Sequence, residues 1–207
     1  MKIAILGAES TGKSTLCHGL AQALTRAGQP AIAVDEYLRE WCVAAQRTPR
    51  PDEQAAIARE QTLRTSALPS ITVVADTSAL MTAIYSDVLF HDLLLYPQAL
   101  EDIKTFRHVL VTAPDLPWVA DGYLRDSPHG QRAIHQRLQE VLRENDIAYS
   151  MVYGSGDQRL QAALSIVMPS RANAEAESAR YSRWMAQCEK CSDAVCEHRL
   201  FSTMTDA

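Results

Sequence analysis

The chain has 207 residues, 47% apolar and 22% charged, the composition of an ordinary globular domain, which excludes disorder and collagen-like structure. Lys and Arg number 20 against 25 Asp and Glu, a net charge of -5 that argues against nucleic acid and anionic membranes as partners. No apolar window approaches the roughly 18 residues of a membrane span, and Glu9 interrupts the opening run Met1 to Gly7, so a cytoplasmic protein is expected.

Ile3 to Leu6 is a short continuous apolar run that reads as a strand buried on both faces. Gly7-Ala8-Glu9-Ser10-Thr11-Gly12-Lys13-Ser14 follows, and from Lys13 onward Leu16, Leu20, Leu24 and Ala27 recur at helical spacing until Gly28 and Pro30 stop the helix. Ala31 to Val34 is the second strand, running into Asp35-Glu36. Tyr37 to Gln46 and Glu53 to Leu68 are helical, separated by Pro49 and Pro51. Ile71 to Ala75 is a third strand closing on Asp76. Helices are expected over Ser78 to Leu89 and Pro97 to Lys104, then a strand from His108 to Thr112. A loop dense in Pro, Asp and Gly spans Ala113 to Gly130. Gln131 to Glu144 is helical, Tyr149 to Tyr153 a fifth strand, and Asp157 to Met168 a last helix. Strands alternating with helices predict an α/β fold of three layers around a mostly parallel five-stranded sheet over residues 1–168. A C-terminal helix and a Cys/His-rich extension are expected over 169–207.

The segment from Gly7 to Ser14 satisfies G-x-x-x-x-G-K-[ST] and lies between a strand and a helix, as a phosphate-binding P-loop requires. Unpaired amides at a helix N-terminus, aligned with the helix dipole, bind anionic phosphates. Gly7, Glu9, Ser10, Thr11, Gly12, Lys13, Ser14 and Thr15 are therefore the expected nucleotide contacts, with Lys13 on the β- and γ-phosphates and Ser14 on Mg²⁺. Asp76, at the end of the third strand, would hold that Mg²⁺ directly or through water. An N-K-x-D guanine signature is absent from the sequence, so ATP is the expected nucleotide.

Phosphoryl transfer to a small alcohol also needs a carboxylate for the hydroxyl and cations for the transferring charge. Asp35 or Glu36, at the carboxyl end of the second strand, would face the P-loop crevice and take the proton, the alternative for Asp35 being a helix cap. A lid over about 119–130 would bring Arg125, with Arg132 just beyond, onto the phosphates, a solvated salt-bridge loop being the alternative. Glu60, Gln61 and Arg64, at helical spacing, read as a solvated helix face, the alternative being that they face the substrate cleft.

Gly7 to Thr15 (GAESTGKST), Asp35 to Trp41 (DEYLREW), Val74 to Ser78 (VADTS) and Asp115 to Arg125 (DLPWVADGYLR), in that order, resemble the NadR-type ribosylnicotinamide kinases, a family of P-loop kinases. The resemblance covers about residues 1–168 and implies a P-loop kinase fold, here as a stand-alone kinase domain. It also implies transfer of the ATP γ-phosphate to the 5′-hydroxyl of nicotinamide riboside, giving nicotinamide mononucleotide for NAD synthesis. Such a substrate carries a cationic pyridinium, which Trp118 could stack on with Asp115 or Asp121 close by; a cation over an indole face gains about 0.5 to 2 kcal/mol. The alternative is that Trp118 packs the loop onto the sheet.

Five cysteines, an odd number, argue against a disulfide framework. Cys188, Cys191, Cys196 and His198 place four ligands within eleven residues, a set suited to structural Zn²⁺, with free thiols as the alternative. Two function classes stand against each other: a kinase of a nucleoside-like small molecule, and an ATP-binding switch that hydrolyses slowly and is read by a partner. Neither reading excludes a homo-oligomer.

Overall fold

Ile3, Ala4, Ile5 and Leu6 have no exposed surface, and the strand that contains them, β1 (Lys2–Leu6), is the centre of the sheet. The computed structural model describes residues 1–67, 70–118 and 128–169. The chain divides into two units, Met1–Val167 and Met168–Ala207, and every element below belongs to the first. β1 is flanked by β3 (Thr72–Asp76) and β4 (His108–Thr112), with β2 (Ala31–Val34) and β5 (Ser150–Val152) at the edges, in the order β2-β3-β1-β4-β5. All four pairings are parallel. Their registers set Ile5 beside Asp76, Leu6 beside Val111 and Thr112 beside Val152, which gathers the carboxyl ends of the strands along one edge.

Alternation along the strands divides the core between two faces. Ala4, Leu6, Ala75, Val109 and Val111 pack with α4 (Ala79–Phe90), α5 (Tyr96–Ile103) and α6 (Pro128–Glu144), which supply Leu80, Ile84, Ile103 and Leu138. On the other face α1 (Lys13–Arg26) lies against β1, β2 and β3 and against α7 (Gly156–Val167), burying Cys17, Leu20 and Leu24. The Cys17 thiol donates to the Val74 carbonyl at 3.2 Å, and burial pushes its pKa well above the usual thiol range. α4 is apolar around most of its circumference and is enclosed by α3 (Gln54–Ser66), α5 and α6; Ser78 caps it, accepting from the Leu80 amide at 3.3 Å. Asp87 of α4 accepts from Arg137 at 2.7 Å and from the Tyr96 hydroxyl at 2.8 Å, tying three helices together. Burial opposes the Asp87 charge, but these two donors outweigh it and hold the carboxyl below its usual range.

The three-layer α/β expectation holds, with the sheet parallel throughout. Most element boundaries shift by a residue or two, and the start of α6 by three. α6 starts at Pro128 instead of Gln131, so residues 128–130 are helical; proline is at home in a first turn, where its missing N–H costs no bond. β5 keeps three residues because it pairs with β4 alone, and Tyr153 is already exposed.

Candidate active site

The loop between β1 and α1 is tied down by its carbonyls. Lys13 Nζ donates to Ala8 O at 2.8 Å, and the Thr11 hydroxyl lies 2.8 Å from the same oxygen. Thr11 Oγ1 is also 2.7 Å from Thr112 Oγ1, which is 3.1 Å from Leu6 O, so two hydroxyl protons serve three contacts across 101 residues of sequence. Gln131 donates to Glu9 O at 2.7 Å, and the hydroxyl of the partly buried Tyr85 donates to the Glu9 carboxylate at 2.9 Å. Burial and then that carboxylate drive the Tyr85 pKa well above its ordinary value, which keeps the phenol a donor. Gly7, at φ +149°, has no room for a side chain: a Cβ there would stand 2.2 Å from Thr112 Oγ1. Gly12 takes φ +75° at the N-terminus of α1.

Behind the loop, Arg159 of α7 is 3% exposed. Its guanidinium donates to the carbonyls of Thr11, Gly154 and Ala113 and to the Asp115 carboxylate, whose second oxygen accepts from the Gly154 amide at 2.7 Å. Only the arginine of this pair is buried: the Asp115 side chain keeps 33% of its surface exposed.

In front of the loop is a cavity of about 670 Å³, within the usual range for a small-molecule site. Residues 9–15 form one wall. Glu36, Leu38 and Arg39 come from the β2 end and α2 (Tyr37–Ala45), Thr48 and Pro49 from the loop after it, and Gln54 from α3. Tyr85 and Val88–Phe90 of α4 and Gly130 and Ile134 of α6 complete the lining. The corner carrying Glu36 is held from α3: Gln61, 2% exposed, accepts from the Tyr37 amide at 2.8 Å and donates to Asp35 O at 3.4 Å. The solvated face expected for Gln61 is thus corrected, since its amide satisfies a backbone group that α2 leaves unpaired at its start. Glu60 and Arg64 do form an outer ion pair, joined by Glu40.

The loop before Gln54 is clamped by Glu53, which accepts from Arg47 at 2.6 and 2.7 Å and from the Arg50 amide at 2.8 Å. The Arg47 hydrogen bonds, then the Arg50 amide, lower the Glu53 pKa to about 2. A depressed carboxylate pKa stabilises above the unfolded value, here near 4.5, and that contribution is lost as pH falls toward about 2. Protection of the Arg50 amide against hydrogen exchange, corrected for intrinsic rate, is expected to fall across that window in the wild type. In Glu53→Gln it should be low and flat; a parallel pH dependence in the variant contradicts the clamp.

Not every residue singled out from the sequence lines this cavity. Glu36 does, with a side chain 13% exposed, whereas Asp35 is 59% exposed and pairs with His18 at 2.7 Å outside it. Asp115 is engaged by Arg159, and neither Trp118 nor the exposed Arg132 is part of the lining. Asp121, Arg125 and lid residues 119–127 lie outside the described residues, as do Cys188, Cys191, Cys196 and His198. No group of three or more His, Cys, Asp and Glu residues placed to hold a metal occurs among the described residues. Asp76, 2% exposed at the end of β3, keeps Oδ1 buried without a hydrogen-bonding partner among the described residues, as does the neighbouring Thr77 hydroxyl, at φ +82°. Asp76 does not line the cavity, but a carboxylate oxygen left open at the end of the strand beside β1 and the Ser14 hydroxyl in the cavity wall are both hard-oxygen donors of the kind Mg²⁺ takes.

A strand, a carbonyl-anchored glycine loop and a helix N-terminus at the carboxyl edge of a parallel sheet define a P-loop fold. A family model described as an AAA domain matches residues 2–159, and the chain belongs to that family. No curated protein matches the sequence. Among solved structures, a NadR protein in complex with NR superposes with a TM-score of 0.65 at 22% identity, over 80% of this chain and 49% of that one. Thymidylate kinase from Ehrlichia chaffeensis gives 0.56 at 16% identity, over 81% and 96%. Deoxyadenosine kinase from M. mycoides with bound dATP gives 0.53 at 14%, over 81% and 98%. The likeness is one of fold, matching the P-loop kinase architecture implied by the sequence resemblance, and the chain spans about half the length of the NadR protein. No helix among the described residues is long and apolar enough to cross a membrane.

Proposed function

We propose that this protein is an ATP-dependent kinase that phosphorylates the 5′-hydroxyl of nicotinamide riboside. The observation that carries the reading is a single cavity with the P-loop on one side and the Glu36 carboxylate on the other. The loop amides and Lys13 would bind the triphosphate, Glu36 would accept the proton of the attacking hydroxyl, and Arg39, in the same lining, would cover charge on the transferring group. Ser14 and Asp76 would hold Mg²⁺, which supplies charge neutralisation at the phosphates. Leu38, Val88 and Ile134 make part of the lining apolar, which would favour transfer to an alcohol over hydrolysis once a bound acceptor displaces water from it. The fold neighbours support this class: one NadR protein is complexed with NR, and the others are named as nucleoside or nucleotide kinases.

The test is ADP formation from ATP with a panel of nucleosides at matched concentration. Strong stimulation by nicotinamide riboside is expected. Stimulation by a different nucleoside alone reassigns the acceptor, and a slow rate indifferent to all of them replaces the kinase by an ATP-binding switch.

A further inference from the structure

The cavity wall contains a buried amide with nothing to bind. Gln54, in the first turn of α3, is 3% exposed, and its Oε1 has no hydrogen-bonding partner among the described residues. Buried polar groups are almost always paired, and leaving one unpaired costs about 1 to 3 kcal/mol. Gln61, on the same helix two turns later, shows what a structural glutamine does in this setting: both ends of its amide are used by the backbone of the β2–α2 corner. Gln54 differs in lining the cavity, where Leu38, Val88 and Leu89 in the wall offer no hydrogen bond. It is also preset, because the Pro51–Glu53 turn before it is fastened by Arg47 and the Arg50 amide, so little ordering remains to be done on binding.

We infer that Gln54 determines acceptor specificity by pairing with a planar edge that carries a donor and an acceptor side by side. A carboxamide offers such an edge, and so does the amino and ring-nitrogen edge of a nucleobase, which amide side chains read in two-point contacts. The inference rests on the kinase reading, since it places the acceptor's ring in the cavity whose other side is the P-loop. Apolar side chains around Gln54 would enclose that ring, while the amide selects its substituent. Buried amides that lose a two-point partner discriminate far more strongly than apolar contacts that lose a methylene.

The experiment compares wild type with Gln54→Leu, which keeps size and removes both hydrogen-bonding ends. The acceptors are nicotinamide riboside, the pyridinium riboside lacking its carboxamide, adenosine and cytidine. For an acceptor carrying the edge, KM is expected to rise roughly ten- to hundredfold in the variant, with kcat and the KM for ATP within about twofold. The pyridinium riboside, poor for wild type, should be unaffected or improved, and Tm should not fall, because the variant loses only an unpaired group. Whether the loss appears with nicotinamide riboside or with a nucleobase nucleoside identifies the edge. Equal losses for acceptors with and without it, or a shared rise in the KM for ATP with a lower Tm, make Gln54 structural and overturn the inference while leaving the kinase reading intact. Turnover of no acceptor by wild type overturns both.

Discussion

Lys13→Ala is expected to lower phosphoryl transfer by on the order of 10³-fold at saturating ATP, with the fold unchanged. Lys13 is half-buried at the first position of α1, and its ammonium bonds to the carbonyl of Ala8 inside the loop it serves. That contact is short-range and lies at the cavity wall, so removing it takes little from the core. On the kinase reading, what is lost is a cation beside the β- and γ-phosphates, where charge accumulates during transfer. Single-turnover ADP formation together with a thermal melt separates the two effects. A variant within tenfold of wild type would mean that this loop does not hold the reacting phosphates.

The second large effect is expected at Glu36, where substitution by glutamine should reduce kcat by about 10²- to 10⁴-fold, the range attributed to a general base. Asp35→Asn should stay within a few-fold. The two carboxylates are neighbours in sequence at the end of β2, but alternation sends them apart: Glu36 into the cavity and Asp35 toward His18 and solvent. An exposed ion pair of that sort contributes about 0 to 1 kcal/mol and has no route to a buried hydroxyl. Rates across a pH series for both variants decide the matter. A larger loss for Asp35→Asn reverses the assignment, and losses under tenfold for both remove the pair from the chemistry.

These contrasts mark what is legible in a sequence of this kind. The five strands are readable because each is a short apolar run, and the first loop because strand, glycines, lysine and helix are contiguous. Strand order is not, because every connection in a parallel sheet is a helical crossover and β1 gains neighbours from residues 70 and more positions away. Side-chain direction is lost for a related reason. Asp35 and Glu36 have equal claims in the sequence, and only the packing of Gln61 under the corner orients them. Thr112, Tyr85, Gln131 and Arg159 all hold the P-loop, yet none belongs to its motif. A weak signal exists for two of them: Thr112 closes an apolar strand at the edge where ligands bind, and Arg159 interrupts the inward face of α7. Gln54 and Gln61 share a helix face and look alike in the sequence; burial with and without partners separates them.

The Arg159 brace has a consequence for the order in which the molecule becomes competent. A growing chain carries every residue of the phosphate-binding motif once Ser14 has been made. Arg159 is separated from Thr11 by 148 residues, so the carbonyl of Thr11 and the Asp115 carboxylate await α7, the last helix of the unit. Ribosome-bound intermediates shorter than that helix therefore have the motif without its rear support, and on the kinase reading nucleotide is expected to stabilise them less than it stabilises the finished fold. On the kinase reading, a fully braced phosphate loop is therefore expected only once α7 has been made.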